Sequence, residues 1–556
     1  MRMTRMFYLF YVLLTAFFLT ACSEDISEYT SRVEELKNEN DSERQKIDAL
    51  KQQLEDNKNK GDLLKQKLDS LEKEMDSVVE YPELLTLSFL ADDNAGIKKS
   101  VMCEIRSSGV INCWLPERNS DKKLIPRFTF SGTMVIKDSM EVESGATLID
   151  FSEPVKLSVI SSKGSKDYVV YVHSRTGLPV MEITTEDRKE ITSREEYISA
   201  HMKLTEDVMT RSGSEIVEGD LMIKGRGHTT WGFDKKPYRL KFEEKISLLG
   251  GHKDKSWVLL ANYVDKSMLR NRLAFYFSRI SNLEWTPSDH FVELILNGEY
   301  FGTYQLCEKV KISNHRVAVG DDGFLFEIDQ RAPRKDGTRY FYVDHIGVSV
   351  NIKDPEVEYD DSKFTYAKNF VTAADNALFS SNFTDPEEGW QKYMDMDSFV
   401  DWYLINELAR NNDAIFFASC YMNLEKGGKL KMGPVWDFDL GFGNINYNDN
   451  FLCEGFWIKK RVDWYSRLYK DPAFVARLKE RFTFFFNHKE EILNSIGEDA
   501  LYLRHSVTEN ESVWHTFYRY SWPNYDIWGS YYNEVQQMKD WLNKRFIWMK
   551  DEFDKL

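Results

Sequence analysis

The sequence predicts an α+β protein: one large mixed domain, preceded by a helical stalk and a small all-β sandwich. Three observations carry this reading. Residues 26–78 repeat apolar positions at alternating spacings of three and four. Residues 84–172 alternate apolar with polar side chains between Gly, Ser and Asp turns. From residue 178 onward, strand-like segments give way to helical ones, an order that suggests a mixed lobe followed by a helical lobe.

At the N-terminus, Arg2 and Arg5 precede an apolar run from Met6 to Leu19, closed by Thr20, Ala21 and Cys22. A charged start, a short apolar segment and small residues before a cysteine predict a signal peptide over 1–21, too short for a spanning helix. The segment resembles a bacterial lipoprotein signal with Cys22 as the lipidated residue. Ser23-Glu24-Asp25 resembles the acidic tag of surface lipoproteins in Bacteroides-like bacteria. The expected address is therefore an outer membrane lipoprotein, at the cell surface or on the periplasmic face, held to the membrane through Cys22.

Residues 22–80 carry the anchor cysteine and the stalk. Ile26, Tyr29, Val33 and Leu36 begin a heptad series that ends in Leu64, Leu68, Leu71, Met75 and Val78, with charged residues between. This is a coiled coil, and it predicts a homo-oligomer. Asn40 at a core position favours a dimer, with a trimer as the alternative. Gly61 marks a weak point, and at 1.5 Å per residue the stalk reaches about 80 Å.

The segments IPRFTFSGTMVIKD, PVKLSVISSKG and DYVVYVHS are strands of an antiparallel module over 81–175, resembling the immunoglobulin-like spacers of exported bacterial proteins. If Ser107-Ser108-Gly109 is a hairpin loop with Gly109 left-handed, Cys103 faces Cys113 across the ladder. Export permits a disulfide there; two buried thiols are the alternative.

Composition narrows the function. With 42% apolar and 14% aromatic residues in 556, the chain can fill a large core, and its net charge of -17 leaves no cationic surplus for general nucleic-acid binding. No HExxH or CxxC motif is present, so a zinc centre is not expected.

The large domain, 176–556, holds the chemistry. Its strands read as LMIKGRG, YRLKFEE, FVELILN, GTYQLCEKV and GFLFEID, with one helix near Lys266 to Ile280 and a strong hairpin signal at Asn297-Gly298. Between the first two strands, KGRGHTTWGFDKKPYRLKF places Gly225 and Gly227 in a turn able to approach an anion, followed by Lys235, Lys236, Arg239 and Lys241. From Asp397 to Asn444 the chain reads as an amphipathic helix, a polar turn at Asn411-Asn412-Asp413, a hairpin, and then Trp436-Asp437-Phe438-Asp439 before Gly441 and Gly443. One acid after a helix and a second after a strand is the order that phosphotransferases of the protein-kinase type use.

In this order GRGHTTWG, KPYRLKF, WVLLANYVDKSMLRN, ELILNGEYFGTYQLCEKV and GFLFEID, with the 397–444 stretch, resemble the spore-coat protein H (CotH) kinase family over most of residues 178–450. The resemblance implies an atypical protein-kinase-like fold that binds ATP and Mg²⁺ and phosphorylates protein Ser or Thr hydroxyls. It carries the catalytic acid onto Asp413 and the metal-binding acid onto Asp437, with Asp439 as a helper ligand. Lys241 is the expected phosphate-pairing lysine, and Lys236 and Arg239 are alternatives, with Gly225 and Gly227 lining the phosphates. One departure is visible: where active kinases place a metal-binding Asn between the acids, this chain has Ser419-Cys420, with Asn423 slightly later. Glu293 and Glu308 are the candidate partners of the lysine. The rival expectation is a catalytically inactive envelope scaffold recognising a protein or a glycan. There Trp514, Tyr518, Trp522, Tyr525 and Trp528 would stack on sugars and Asp437 with Asp439 would hold Ca²⁺.

Overall fold

The computed structural model describes Lys46 and residues 81–105, 109–115, 122–205, 216–335 and 337–556. The signal peptide, Cys22 and all of the stalk but Lys46 lie outside the described residues. No helix among those described is long and apolar enough to cross a membrane. The chain divides into two compact units at His173–Ser174.

The first unit packs two antiparallel sheets on one core. One sheet orders Val101–Met102, Glu83–Phe89 and Arg127–Ser131; the other is built on the long hairpin of Val155–Ser161 with Gly164–Ser174. Alternation drives the packing: Leu84, Leu87 and Phe89 from one sheet and Leu157, Val159, Tyr168 and Val170 from the other are all buried. Cys103 and Cys113 form a disulfide, their Cα atoms 4.9 Å apart, and Gly109 has φ +80. Replacing both cysteines by Ser is expected to destabilise this unit by about 3 kcal/mol, the entropy of closing an 11-residue loop. Denaturant melts under oxidising conditions read this directly; a change below about 0.5 kcal/mol contradicts it.

The second unit begins with a closed barrel of seven strands: β1 (Val180–Thr185), β2 (Ile198–Thr205), β3 (Ile216–Gly225), β4 (Tyr238–Ile246), β5 (Asp254–Leu260), β6 (Asp289–Leu296) and β7 (Glu299–Glu308). Strands β1 to β5 follow one another around the wall, β5 pairs with β7, and β6 closes the ring by pairing in parallel with β1. The β6–β7 turn is Asn297-Gly298, both with positive φ, as the twist of a two-residue hairpin requires. Inward positions fill the barrel with Met202, Leu221, Ile223, Leu240, Phe242, Trp257, Leu259 and Leu306, so it is a packed core.

A second sheet orders β9 (Tyr340–Val343), β10 (Val348–Asp354), β8 (Phe324–Ile328), β11 (Cys420–Leu424) and β12 (Leu430–Met432). Among the described residues seven α-helices complete the unit: α1 (Arg270–Arg279), α2 (Ser362–Phe379), α3 (Met396–Ala409), α4 (Asp463–Leu468), α5 (Pro472–Asn487), α6 (Lys489–Trp514) and α7 (Tyr531–Asp554). Because β8 pairs with β11 across two intervening helices, strands and helices interleave here where the sequence suggests strands first and helices later.

Helix α3 corrects a second expectation. It is not amphipathic: every residue from Ser398 to Ala409 is buried. Its polar members are each matched. Asp401 accepts from Arg481 Nε at 2.8 Å and Nη2 at 2.9 Å, and Glu407 accepts from Arg545 Nη2 at 2.9 Å and from the Ile458 amide at 2.8 Å. A helix surrounded by protein can carry such charges only when partners arrive from other elements, here α5 and α7.

Candidate active site

Helix α3 ends at Arg410, a buried residue with φ +44, which turns the chain sharply. Asn411 then caps a short turn over Asn412–Ala414 and accepts a hydrogen bond from the Asp413 amide at 3.4 Å. Asp413 is thereby set at the mouth of the helix end, half-buried. Its carboxylate accepts from Asn412 Nδ2 at 2.8 Å. Burial, with the charge of Asp437 adding to it, pushes Asp413 up to about 6 from an ordinary 3.8.

The second acid comes from the loop after β12. Asp437 has φ +71, a conformation that strains a side-chain-bearing residue, and it accepts from Ser419 Oγ at 3.0 Å, itself at φ +57. The loop is pinned by α1: Asn271 Oδ1 accepts from the Phe438 amide at 2.8 Å, and Arg270 Nε donates to the Gly441 carbonyl at 3.1 Å. Arg270 is in turn paired with the fully buried Asp265. The Phe442 amide donates to the Ala409 carbonyl at 2.7 Å, which ties the loop to the end of α3. The segment Asp265–Arg272 thus holds the loop that carries Asp437, and the Ala409 contact ties that loop to the helix end from which Asp413 follows. Asp439 joins them: burial, then Asp437, Asp265 and Asp413, push its carboxyl well above the usual range.

The floor beside the acids is the polar face of the second sheet. On β8 and β11, Phe324, Phe326, Ile328, Cys420, Met422 and Leu424 point into the core, and the opposite parity gives Glu327 and Tyr421, paired in register. Lys353 Nζ reaches Glu327 Oε2 at 2.9 Å, and Arg331 Nε pairs with Asp329 Oδ1 at 2.8 Å, with Lys335 on the other oxygen. Tyr421 is pushed well up by burial and by Glu327, against the pull of Arg226, with Asp437 and Asp329 adding to the rise. That set of neighbours joins the glycine turn, the sheet face and the second acid in one cleft.

The barrel supplies the opposite wall. Arg226, between Gly225 and Gly227, lies with its guanidinium 5.6 Å from the centroid of the Trp436 ring, next to Asp437. A Cβ on Gly225 would sit 2.2 Å from the Trp231 ring, and Gly227 has φ +82, so both glycines are required by the turn itself. Arg239 on β4 faces outward, paired in register with Lys224 and lying over the Tyr197 ring. Lys309, directly after β7, is pushed down to about 7 by burial, then by Arg239, Lys353 and Lys311.

These positions redistribute the expected cations. Lys241 is exposed on β4, two residues beyond Arg239. Lys236 Nζ donates to the Trp231 carbonyl at 2.9 Å and supports the turn. Lys235 is buried against Thr303 and Asn510. Neither proposed lysine partner serves that role: Glu293 accepts from Thr176 at 2.6 Å and Tyr300 at 2.7 Å, and Glu308 pairs with Arg316 at 3.5 Å. Asn423 donates to the Gly433 carbonyl at 3.2 Å. Lys309 and Arg226 are the cations that sequence reading passed over. The one available signal was that in GTYQLCEKV a lysine directly follows the strand.

No cluster of three or more His, Cys, Asp or Glu able to hold a metal occurs among the described residues. Asp413, Asp437 and Asp439 nevertheless suit Mg²⁺, which takes one or two carboxylates and completes its shell with water and phosphate oxygens. Their mutual repulsion, visible in the raised Asp413 and Asp439, is what a divalent cation relieves.

The sequence profile of the CotH kinase protein family matches residues 223–549, more than half of the chain, from β3 into α7. The chain belongs to the CotH kinase protein family. Both acids, the glycine turn and the Asp265–Arg272 brace lie inside the CotH match. Among solved structures, one from Bacteroides thetaiotaomicron, described provisionally as a glycoside hydrolase, is similar at 12% identity over 51% of this chain and 80% of that chain, with a TM-score of 0.16. No curated protein matches significantly.

The acid cluster of this CotH protein has a measurable consequence. Asp413 binds its proton more tightly folded than unfolded, so its contribution to stability falls as pH rises from about 4 to about 6 and stays lost above that. Asp437→Asn removes one source of the upshift. In EDTA the variant is therefore expected to melt above wild type at pH 7.5 and level with it at pH 4. Each unit of pKa restored to Asp413 returns at most about 1.4 kcal/mol. Added Mg²⁺ should close the gap by stabilising wild type alone. A variant less stable than wild type at pH 7.5 in EDTA contradicts this account.

Proposed function

We propose that this CotH protein is a phosphotransferase with an atypical protein-kinase-like fold, moving the γ-phosphoryl group of ATP to an acceptor hydroxyl, with protein Ser or Thr side chains as one such acceptor. The observation that carries the reading is a cation brought to a cluster of acids: Asp413, Asp437 and Asp439 stand together, Arg226 lies over the Trp436 ring next to Asp437, and the barrel adds Lys309 with Arg239 near it. A nucleoside triphosphate with its metal needs both.

In this reading Asp413 accepts a hydrogen bond from the acceptor hydroxyl and holds its oxygen in line with the γ-phosphorus. As the new O–P bond forms, the bond from the γ-phosphorus to the oxygen bridging to the β-phosphate breaks. ADP leaves with that electron pair, and the hydroxyl proton passes to Asp413 and then to solvent. Mg²⁺ held by Asp437 and Asp439 would neutralise phosphate charge as it develops. Ser419 steadies the Asp437 carboxylate, and Arg226 and Lys309 hold the phosphates from the barrel side. The lipid anchor at Cys22 and the coiled coil would present this domain at the outer membrane as an oligomer.

The test is thermal stability with ATP and Mg²⁺, followed by incorporation of labelled phosphate from ATP. Wild type is expected to gain several degrees, and Lys309→Met to lose most of that gain at an unchanged ligand-free Tm. Because Lys309 sits near 7 before phosphate arrives, protonation accompanies binding, and ATP affinity is expected to weaken by up to about tenfold per pH unit above 7. No stabilisation of wild type by ATP with Mg²⁺ overturns the reading.

A further inference from the structure

A surface of exposed aromatic rings adjoins Asp413. Tyr447, Tyr520, Trp522 and Tyr525 are 50%, 46%, 53% and 44% exposed. Soluble proteins rarely gather rings of this size at the surface without use for them. They are also held in place. Tyr447 stacks on Trp522 with centroids 5.6 Å apart and planes 21° off parallel, and Tyr525 stacks on Phe451 at 4.5 Å and 16°. Asn446 donates to the Tyr520 hydroxyl.

The segment that presents Trp522 is braced from below. Glu511 accepts from the amides of Thr516 and Phe517 at 2.8 and 2.9 Å. Lys266 Nζ donates to the Arg519 carbonyl at 2.8 Å, and Asn524 Nδ2 donates to the Val264 carbonyl at 2.6 Å and to Asn444 Oδ1 at 3.0 Å. The connection to the acid is direct. Asn412 Nδ2 donates both to Asp413 Oδ1 at 2.8 Å and to the Tyr447 hydroxyl at 3.0 Å, while Asn448 donates to Asn412 Oδ1 at 2.7 Å. One carboxamide separates the ring surface from the group that would receive the acceptor proton.

The chemistry of the surface selects its occupant. Arg519 pairs with Asp234 at 3.3 Å and Asp449 with Arg410 at 3.5 Å and Arg461 at 3.7 Å, while Asp526 beside Tyr525 is exposed and accepts from the Ile527 amide, so the surface carries no cluster of like charge to select an acidic or basic peptide. What it offers is flat apolar faces rimmed by phenols and by carboxamides, each of which both donates and accepts. A neutral ring with an apolar face and hydroxyls around its edge fits that description.

We propose that the rings of Tyr447, Tyr520, Trp522 and Tyr525 bind a neutral carbohydrate and present one of its hydroxyls to Asp413, making a glycan the acceptor. The acceptor role rests on the phosphotransfer reading above; the binding surface does not.

The full-length protein is titrated with cellopentaose, maltopentaose, chitopentaose and mannopentaose by calorimetry, beside Trp522→Ala and Tyr525→Ala, and thermal shift with ATP and Mg²⁺ is recorded for each. At least one saccharide should bind wild type, with Kd raised at least tenfold in both variants and the ATP-dependent shift unchanged. With labelled ATP, phosphate should enter the bound saccharide and fall in Trp522→Ala. Absence of binding by all four saccharides, or equal binding by the variants, overturns the proposal. So does label that enters protein alone at the same rate in Trp522→Ala. If ATP fails to stabilise wild type while saccharide binding tracks Trp522 and Tyr525, the phosphotransfer reading falls and the carbohydrate surface stands.

Discussion

Asp413→Asn is expected to lower phosphotransfer by about 10²–10⁴-fold while leaving ATP-dependent stabilisation in place. The Asn keeps the shape of the side chain and its contact with Asn412, but it cannot take a proton. In wild type the pH profile of kcat/KM should rise with a midpoint near 6 for the free enzyme, because the carboxylate must be unprotonated and burial, with Asp437 adding to it, holds it there. The residual activity of Asp413→Asn should lack that limb. Activity within about threefold of wild type, or an unchanged acidic limb, removes Asp413 from the base role.

The second large effect is on stability. Arg545 on α7 and Glu407 on α3 are both fully buried and paired at 2.9 Å. Arg545 also donates to the Glu407 carbonyl at 2.8 Å, to Cys453 O at 3.0 Å and to Gly455 O at 2.8 Å. Arg545→Met keeps much of the volume but strands a carboxylate in the core, and about 3–5 kcal/mol of stability should go with it. Pairing it with Glu407→Gln removes the stranded charge and should recover about 1–2 kcal/mol, since the Gln oxygen still accepts one amide. Chemical denaturation of the four proteins gives the coupling. A single variant within about 1 kcal/mol of wild type would show that α7 does not fix the end of α3. Since that end carries Asp413, activity should fall together with stability.

Much of this architecture is legible in the sequence because it is local. The β6–β7 hairpin is fixed by Asn297-Gly298, whose backbone preferences need no tertiary help. Strands β3 and β4 announce themselves by alternation and β8 by a short apolar run, and the order of motifs suffices to mark the CotH family. The acids are legible as types, since a carboxylate after a helix and another between Trp436 and Phe438 have few local reasons to be there. The cations are not. Lys241 and Arg239 lie two apart on one strand and share a face, so sequence parity treats them alike. Arg239 alone sits beside Tyr197 and Lys224, contributed by other segments. Helix α3 misleads for the same reason: Asp401 and Glu407 suggest a solvated face until Arg481 and Arg545 arrive from 80 and 138 residues away.

The sequence by itself determined the family and the α+β class and singled out Asp413 and Asp437 as candidate acids, because spacing and turn chemistry act over a few residues. The tertiary structure decided that Arg226 comes to the second acid, that strands β11 and β12 join a sheet begun with β8, and that Trp522 stacks on Tyr447 beside Asp413. Each of these depends on burial and on pairing between distant elements, and both are settled only when the core closes.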